Sequence, residues 1–595
     1  ELESRDVDDE WLCERVIVTY MGSDVIFPIY DWIENQAQFT TGEAMIPQNV
    51  KNHYVKSLRH KEIEQKRAMY AWTDRPTSSH IGWGLPRYMN ANTYKELPSI
   101  FQRNEIRQKH LDNEDLKAHI NTTLKVLSVD SFHRFYEREK LDVKLNDFLS
   151  DWDTDEGMGR QCLTGVSPLA IQRCTTIPSN CDVTGDDVIP FLEGKSLEEA
   201  IKIGKIYLSD YSEILKDVKR NKNTFKKQLH CPKAIGLFYV SNSGTFLPIA
   251  IQLVPGDRDY LFTPSSGDED WMLAKMYFRC AQANVHEWGY HFLYTHNVIE
   301  PFGVALFRCL PSAHPIYKLL RPHLRTLSAI NTDARNDLIP ETSKANQSLS
   351  ISGSDLCRKM FKTFRFDDII IPKVLKKLGT DDRTLLPNFH YRDDAMALWK
   401  IMEDYVIDVL THHYSSDEEV EGDYELQGWA RDVAREGLGW QDGDSRGFPE
   451  TITTIPQLME ICVTLMFTSS AQHAAVNFGQ FETYKFMPNA PVGLRLPPHK
   501  NGEGSKQRIL DSLPDALMTN FIIAIAYALS KFAPNEVFLA DFSRKYFTED
   551  VVIGFQDKYV GKLKELESKI LSRNQRLEHE YKYLLPSRIP KSIAV

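Results

Sequence analysis

The stretch Val285-His286-Glu287-Trp288-Gly289-Tyr290-His291-Phe292-Leu293-Tyr294-Thr295-His296 carries the decisive spacing of this chain. It superficially matches a His-Glu-x-x-His zinc motif, but His286 and His291 are five residues apart where that motif needs four. On a regular α-helix five residues turn through roughly 500°, which leaves the two side chains about 140° apart. His291 and His296 stand at the same spacing. They can share one metal ion only if the helix is wound as a π-type segment, a distortion that concentrates at functional sites. Two readings follow: a partly buried helix with hydrogen-bonded histidines, or a π-type turn that aims His291 and His296 at one ion.

A second segment, Phe467-Thr-Ser-Ser-Ala-Gln-His473-Ala-Ala-Val-Asn477-Phe-Gly-Gln480, places His473 and Asn477 at i,i+4 on one face of a helix. The surrounding residues are apolar and small. A histidine and an asparagine facing a core need partners, which a metal or ordinary hydrogen bonds can supply. The chain ends in Ser592-Ile593-Ala594-Val595, apolar where termini are usually polar and frayed. Such a tail predicts burial, and its α-carboxylate then needs a cation or metal. Three imidazoles, an amide oxygen and a carboxylate, with no thiolate among them, make a donor set suited to non-haem iron with a position left for water.

Outward from these segments the chain has an ordinary globular balance. Its 595 residues are 42% hydrophobic and 26% charged, and 71 Lys+Arg against 82 Asp+Glu leave a net charge of −11. That length implies a large domain with an appendage, or several domains. The acidity argues against a broad nucleic-acid-binding surface, so no nucleic-acid partner is expected. No window reaches 18 apolar residues; the longest run, Phe521 to Leu529, suits a core helix. The start, Glu1-Leu-Glu-Ser-Arg-Asp, is polar and has no secretory apolar segment. Nine cysteines without a Cys-x-x-Cys pair read as free thiols of a reducing compartment.

Residues 12 to 33 are rich in β-branched and aromatic residues and predict two strands joined at Met21-Gly22-Ser23-Asp24. Two strands make no stable domain alone, so the tail of a β domain is expected here, its earlier strands lying outside the chain. Asn49 to Ala71 reads as a charged bridging helix. Beyond it helical patterns dominate, with Pro/Gly-rich connections near 84–98, 254–268 and 487–505 and a strand pair within Ile235 to Leu253. The run Ser415-Ser-Asp-Glu-Glu-Val-Glu-Gly-Asp423 is expected to be a solvated loop.

Taken together, His291-Phe-Leu-Tyr-Thr-His296-Asn-Val-Ile-Glu-Pro, Arg308-Cys-Leu-Pro311, Ser470-Ala-Gln-His473-Ala-Ala-Val-Asn477-Phe-Gly-Gln480 and the C-terminal Ser592-Ile-Ala-Val595 resemble the lipoxygenase family, animal arachidonate type, over nearly the whole chain. The resemblance implies a mainly α fold: residues 1–48 as the final strands of an N-terminal C2-like β-barrel (PLAT) domain, and 49–595 as a large helical catalytic domain. It implies iron held by His291, His296 and His473, with Asn477 as a weaker ligand and the main-chain carboxylate of Val595 as the fifth. The family in animals usually ends in Ile; Val595 keeps the carboxylate. His286, His314, His412 and His413 fall outside the ligand positions.

The implied reaction inserts O2 into a polyunsaturated fatty acid, arachidonate-like, by abstraction of a bis-allylic hydrogen, and yields a hydroperoxide. No side chain beyond the ligands takes a catalytic role, since the hydrogen acceptor is a metal-bound hydroxide. By resemblance the substrate slot is lined by Phe292, Ala334, Leu338, Ile525 and Leu529, and Glu287 and Gln480 link the two ligand helices. Phe292 stands where relatives usually have Leu, which narrows the slot beside the iron. Ala334 occupies a small-residue switch at which Ala accompanies S products. A complete N-terminal domain is expected to bind Ca2+ and a membrane surface, which makes the protein cytoplasmic and peripherally membrane-associated. The alternatives are a hydroperoxide isomerase or dehydrase on the same fold, favoured by restricted O2 access at Phe292, and a zinc peptidase, which the failed spacing disfavours.

Overall fold

Met21 and Gly22 both adopt positive φ (50° and 83°), the backbone that a tight two-residue hairpin loop requires at both positions. They join β1 (Trp11–Tyr20) to β2 (Ser23–Ile33) in an antiparallel pair that closes at Tyr20 opposite Ser23. A register shift between Cys13 and Arg15 bulges β1. The hairpin forms where the residue pattern predicts it. The computed structural model describes residues 2–3, 11–33, 36–37, 42–74, 82–98, 128–135, 149–532 and 536–594.

The chain joins the helical body early: Ala44, Ile46 and Val50 are already buried, and the Met45 amide donates to the Ala313 carbonyl at 2.8 Å. The charged bridge is helix α1 (His53–Met69), capped by the Asn52 side chain accepting from the Tyr54 amide. Its Arg59 is buried and paired through two hydrogen bonds, at 3.0 and 2.5 Å, with the carboxylate of Glu425.

The acidic run near Glu425 departs from expectation. Instead of a solvated loop, Asp417–Glu421 winds into a short helix with Val420 buried. Asp423 turns fully inward, accepting from the Tyr414 hydroxyl at 2.8 Å and facing His314 Nε2 at 3.0 Å. Its other oxygen caps the helix Tyr424–Arg431 through the Glu425 and Leu426 amides. An Asp at an N-cap satisfies helix donors whether or not it faces solvent, and a run of charges hides that demand.

Five strands, β3 (Gln172–Arg173), β4 (Ile206–Asp210), β5 (Ile235–Val240), β6 (Phe246–Gln252) and β7 (Leu261–Phe262), form an antiparallel sheet in chain order. β5 and β6 are the strand pair expected from the sequence. β5 is buried along its whole length, which is why it reads as a continuous apolar run. A Cβ at Gly236 would meet the Phe278 ring at 2.5 Å, so this glycine lets helix α2 (Asp268–Val285) lie close on the sheet.

Two long helical runs meet in the centre. The first is α2, a π-helical segment (His286–Asn297) and α3 (Glu300–Cys309). Around it lie α4 (Pro315–Leu324), α5 (Leu327–Asp337) and α6 (His390–His413). The second run is α7 (Ile455–Phe467), a π turn (Thr468–Gln472) and α8 (His473–Asn477). α9 (Ala516–Leu529) and α10 (Asp550–Asn574) follow. Among the described residues no single helix is long and apolar enough to cross a membrane. All nine cysteines are free and buried.

The C-terminal tail is drawn inside, with Ile593 and Ala594 buried. The Thr326 hydroxyl donates to the Ile593 carbonyl at 2.7 Å, and His323 Nδ1 donates to the Lys591 carbonyl at 2.9 Å. Burial first, with Lys591 adding to it, pushes the His323 pKa down to about 3. An unfolded His titrates near 6.5. Below that value the unfolded chain takes up a proton that the folded chain refuses. The contribution of this group is therefore fully present above about pH 6.5 and lost, at about 1.4 kcal/mol per pH unit, as pH falls toward 3. Denaturant titrations of native protein and His323→Phe between pH 7 and 4.5 check this: the variant is expected to show a shallower acid slope, and an identical slope would sink the assignment.

Candidate metal centre

The five-residue histidine spacing is realised by a change of helical winding. The Val298 amide donates to the Leu293 carbonyl, five residues back, at 2.9 Å, the signature of a π turn. The Thr295 hydroxyl donates to the His291 carbonyl at 2.5 Å, offering that carbonyl a partner other than the helix ladder. Close packing holds the segment. A Cβ at Gly353 would meet the Trp288 ring at 2.5 Å, and the Cys357 thiol donates to the Trp288 carbonyl at 3.0 Å. In the second run the Ser469 and Ser470 hydroxyls bond back to the Leu465 and Met466 carbonyls beside the other π turn.

These two distortions converge three imidazoles. His296 Nε2 lies 3.3 Å from His291 Nε2 and 3.2 Å from His473 Nε2, and all three rings are buried. Their outer nitrogens fix the tautomers. His296 Nδ1 donates to Asn331 Oδ1 at 2.9 Å, and His291 Nδ1 faces a Glu287 oxygen at 3.5 Å. With protons held on the Nδ1 side of His296 and His291, their inner Nε2 lone pairs point at each other, which is repulsive without a shared cation. Burial, then the neighbouring His291, pushes the His296 pKa down to about 3, and burial also lowers His291. Both are therefore neutral and ready to ligate at physiological pH. The residues fit a divalent transition metal with imidazole preference. His314, Asp423 and Glu425 also cluster, but Asp423 serves Tyr414 and two amides, and Glu425 serves Arg59.

Asn477 stands one turn after His473 on α8. Its Nδ2 donates to the Leu529 carbonyl at 2.8 Å, and its Oδ1 accepts from Gln480 Nε2 at 2.6 Å, leaving one oxygen lone pair for a metal. Val595 lies outside the described residues. The expected Glu287–Gln480 link between the ligand helices is replaced by another. Gln480 serves Asn477, three residues away on its own run, while Glu287 turns to His291 and to His286 at 3.3 Å. Burial would raise Glu287, but His286 and His291 hold it well below the usual carboxylate range. The helix-to-helix tie is His286, which donates Nε2–H to the Val476 carbonyl at 2.9 Å and whose Nδ1 lies 2.8 Å from the Tyr484 hydroxyl. His286 and His314 are thus buried structural groups; His412 is exposed, and His413 packs against Phe547.

An apolar cavity opens from His291 and His296, and Phe292, Ala334, Leu338, Ile525 and Leu529 all line it. Helical periodicity explains the match and adds to it. α9 contributes Ile522, Ile525, Ala526 and Leu529, at i, i+3, i+4 and i+7; α5 with its C-cap residue contributes Ile330, Ala334 and Leu338, at i, i+4 and i+8. Ile330, Ile522 and Ala526 are legible by extending those periods. The Phe292 ring lies 6.0 Å from the His296 ring, near parallel, and meets Trp288 edge-on, so it narrows the cavity at the metal end. Neither Asn331 nor its partner Glu300 is marked as functional by the sequence pattern, although Glu300 follows His296 by only four residues. Asn331 donates to the His296 carbonyl at 3.0 Å and to Glu300 at 2.8 Å, and Glu300 is paired with Arg335 at 2.6 Å.

Comparison with known proteins agrees with this architecture. The lipoxygenase family model matches residues 34–584. The chain is 34% identical over 622 residues to the allene oxide synthase-lipoxygenase protein of Plexaura homomalla, covering 99% of this chain and 58% of that protein. It is 30% identical over 606 residues to the polyunsaturated fatty acid lipoxygenase ALOX8 of Mus musculus, covering 99% and 87%. Among solved structures, a coral 8R-lipoxygenase with a calcium-activating C2-like domain superposes with a TM-score of 0.93 at 34% identity, over 98% of this chain and 88% of that one. A calcium-dependent 11R-lipoxygenase superposes with a TM-score of 0.92 at 31% identity, again over 98% and 88%. Three buried, inward-facing imidazoles at the head of an apolar cavity, on this fold and with these relatives, lead to one conclusion: the chain belongs to the lipoxygenase family.

Proposed function

We propose that this lipoxygenase is a non-haem iron dioxygenase that converts a polyunsaturated fatty acid of arachidonate type into its hydroperoxide. The observation that carries the reading is the meeting of His291, His296 and His473 beside a cavity walled by aliphatic side chains of α5 and α9. Iron held there supplies the one-electron chemistry that removes a bis-allylic hydrogen atom. The chain's own residues do the rest. Ile525, Leu529 and Leu338 bind the acyl chain by burying it, and Phe292 and Trp288 confine the reacting methylene and limit water. Asn331 and Glu287 keep the ligand rings in the tautomer that faces inward. Ala334 in the α5 wall supports an S-configured product.

With iron-loaded protein, arachidonate and O2, conjugated-diene absorbance is expected to rise in step with oxygen uptake, giving one dominant S-hydroperoxide by chiral chromatography. No diene from a preparation with stoichiometric iron would overturn the proposal. The Phe292 ring beside His296 supports a second reading, isomerisation of fatty hydroperoxides with O2 restricted. That reading predicts hydroperoxide consumption without oxygen uptake, and a switch toward oxygen uptake in Phe292→Leu.

The membrane and calcium readings belong to the same proposal. An N-terminal β domain binding Ca2+ would bring the enzyme to a membrane surface from the cytoplasm. The calcium-activated coral relative supports this, as does the hairpin tip, where Met21 is 87% exposed.

A further inference from the structure

Arg279 on α2 is almost wholly out of solvent, 5% exposed. A guanidinium stays charged in any protein, and a buried charge is costly unless an opposite charge faces it. Among the described residues no carboxylate pairs with Arg279. Its neighbours are neutral. One guanidinium nitrogen donates to Gln161 Oε1 at 2.5 Å, and the amide nitrogen of Gln161 is committed to Asn489 at 2.8 Å. Burial pushes the Cys162 thiol and the Tyr484 and Tyr211 hydroxyls up, so none of them is an anion at neutral pH. Gln282, one turn along α2, is neutral as well and aims its amide at the Cys162 sulfur.

Arg279 faces a small cavity separate from the substrate slot, lined also by Ser167, Gln282, Thr483 and Tyr484. The Ser167 hydroxyl is buried there without a hydrogen-bond partner, whereas the Thr483 hydroxyl is occupied by the Gly479 carbonyl. A cation without an acid and a donor without an acceptor thus border the same small cavity. Both demand an acceptor, and the cation demands a negative one. A water molecule would serve Ser167 but leave the charge unanswered. We propose that this cavity binds a small monovalent anion of halide size, held by the Arg279 guanidinium and the Ser167 hydroxyl. Tyr484 lines both cavities and bonds His286, so the anion would stand one side chain from the metal centre.

The test uses the iron-loaded full chain. Its thermal midpoint, followed in sodium chloride or bromide against sodium gluconate at equal ionic strength, is expected to climb with the logarithm of halide concentration. Ser167→Ala removes one hydrogen bond to the anion and is expected to raise the half-saturating concentration about tenfold. Gln282→Glu sets a carboxylate one turn from Arg279; it is expected to raise the midpoint in gluconate and abolish the halide response. Crystals grown in bromide should show an anomalous peak between Arg279 and Ser167. A halide-independent midpoint, a full halide response surviving in Gln282→Glu, or a non-anomalous peak in bromide would each overturn the proposal. None of these readouts depends on which fatty-acid reaction the enzyme performs.

Discussion

Substituting His296→Ala is expected to yield a folded protein that binds no stoichiometric iron and forms no detectable conjugated diene. His296 contacts both other ring nitrogens, at 3.2 and 3.3 Å. Its removal breaks the set rather than weakening one edge of it. Outer partners of a metal ligand typically change affinity or activity by about 10–100-fold; loss of a central ligand must exceed that. The fold should persist. The substitution leaves Asn331 Oδ1 without the His296 donor, a cost of about 1–3 kcal/mol, against total stabilities of about 5–15 kcal/mol. Elemental analysis, diene formation and a thermal scan on one preparation decide the matter. Retained iron and activity would show that the three-histidine centre is wrongly assigned.

The second large effect is expected at Glu300→Ala. Glu300 is buried, accepts from Arg335 at 2.6 and 3.2 Å and from Asn331 at 2.8 Å, and Asn331 in turn orients His296. The Arg335 guanidinium is itself buried, 3.8 Å from the Tyr88 ring centroid. Removing the carboxylate strands that cation, which costs about 3–5 kcal/mol, and frees Asn331, which should weaken iron retention about 10–100-fold. The two effects separate in the double variant Glu300→Leu, Arg335→Met. With no stranded charge it should recover most of the stability, since apolar replacement of a buried pair is often neutral. Iron retention should stay low, because Asn331 still lacks its anchor. A Glu300→Ala protein within 1 kcal/mol of native would refute the network's structural role.

Much of the fold is legible in the order of residues. The hairpin around Met21-Gly22, the bridging helix α1, the β5–β6 pair and the core nature of Phe521 to Leu529 follow from local chemistry, because turn glycines, charge runs and apolar periods act over a few residues. The cavity residues Phe292, Ala334, Leu338, Ile525 and Leu529 are likewise expected from the family resemblance, and all five face one space. The departures from expectation are of two kinds, one non-local and one local. Asp423 reads like its solvated neighbours because its partners, His314 and Tyr414, belong to other elements. Glu287 and Gln480 are expected to meet, yet each finds a nearer partner, Glu287 in His286 and His291 and Gln480 in Asn477.

The spacing along the chain dictates that His291 and His296 can cooperate only through a distorted helix, since a fixed angle per residue leaves no other way to align them. It also dictates the chemistry available, neutral nitrogen and oxygen donors beside an apolar slot. Which nitrogens meet, which tautomer each ring holds and what anchors it are decided by tertiary packing alone. Asn331 meets Glu300 and His296 across 31 and 35 positions of sequence, and His286 meets Val476 across 190; hydrogen bonds at that range depend on how elements pack, not on the spacing of residues along the chain.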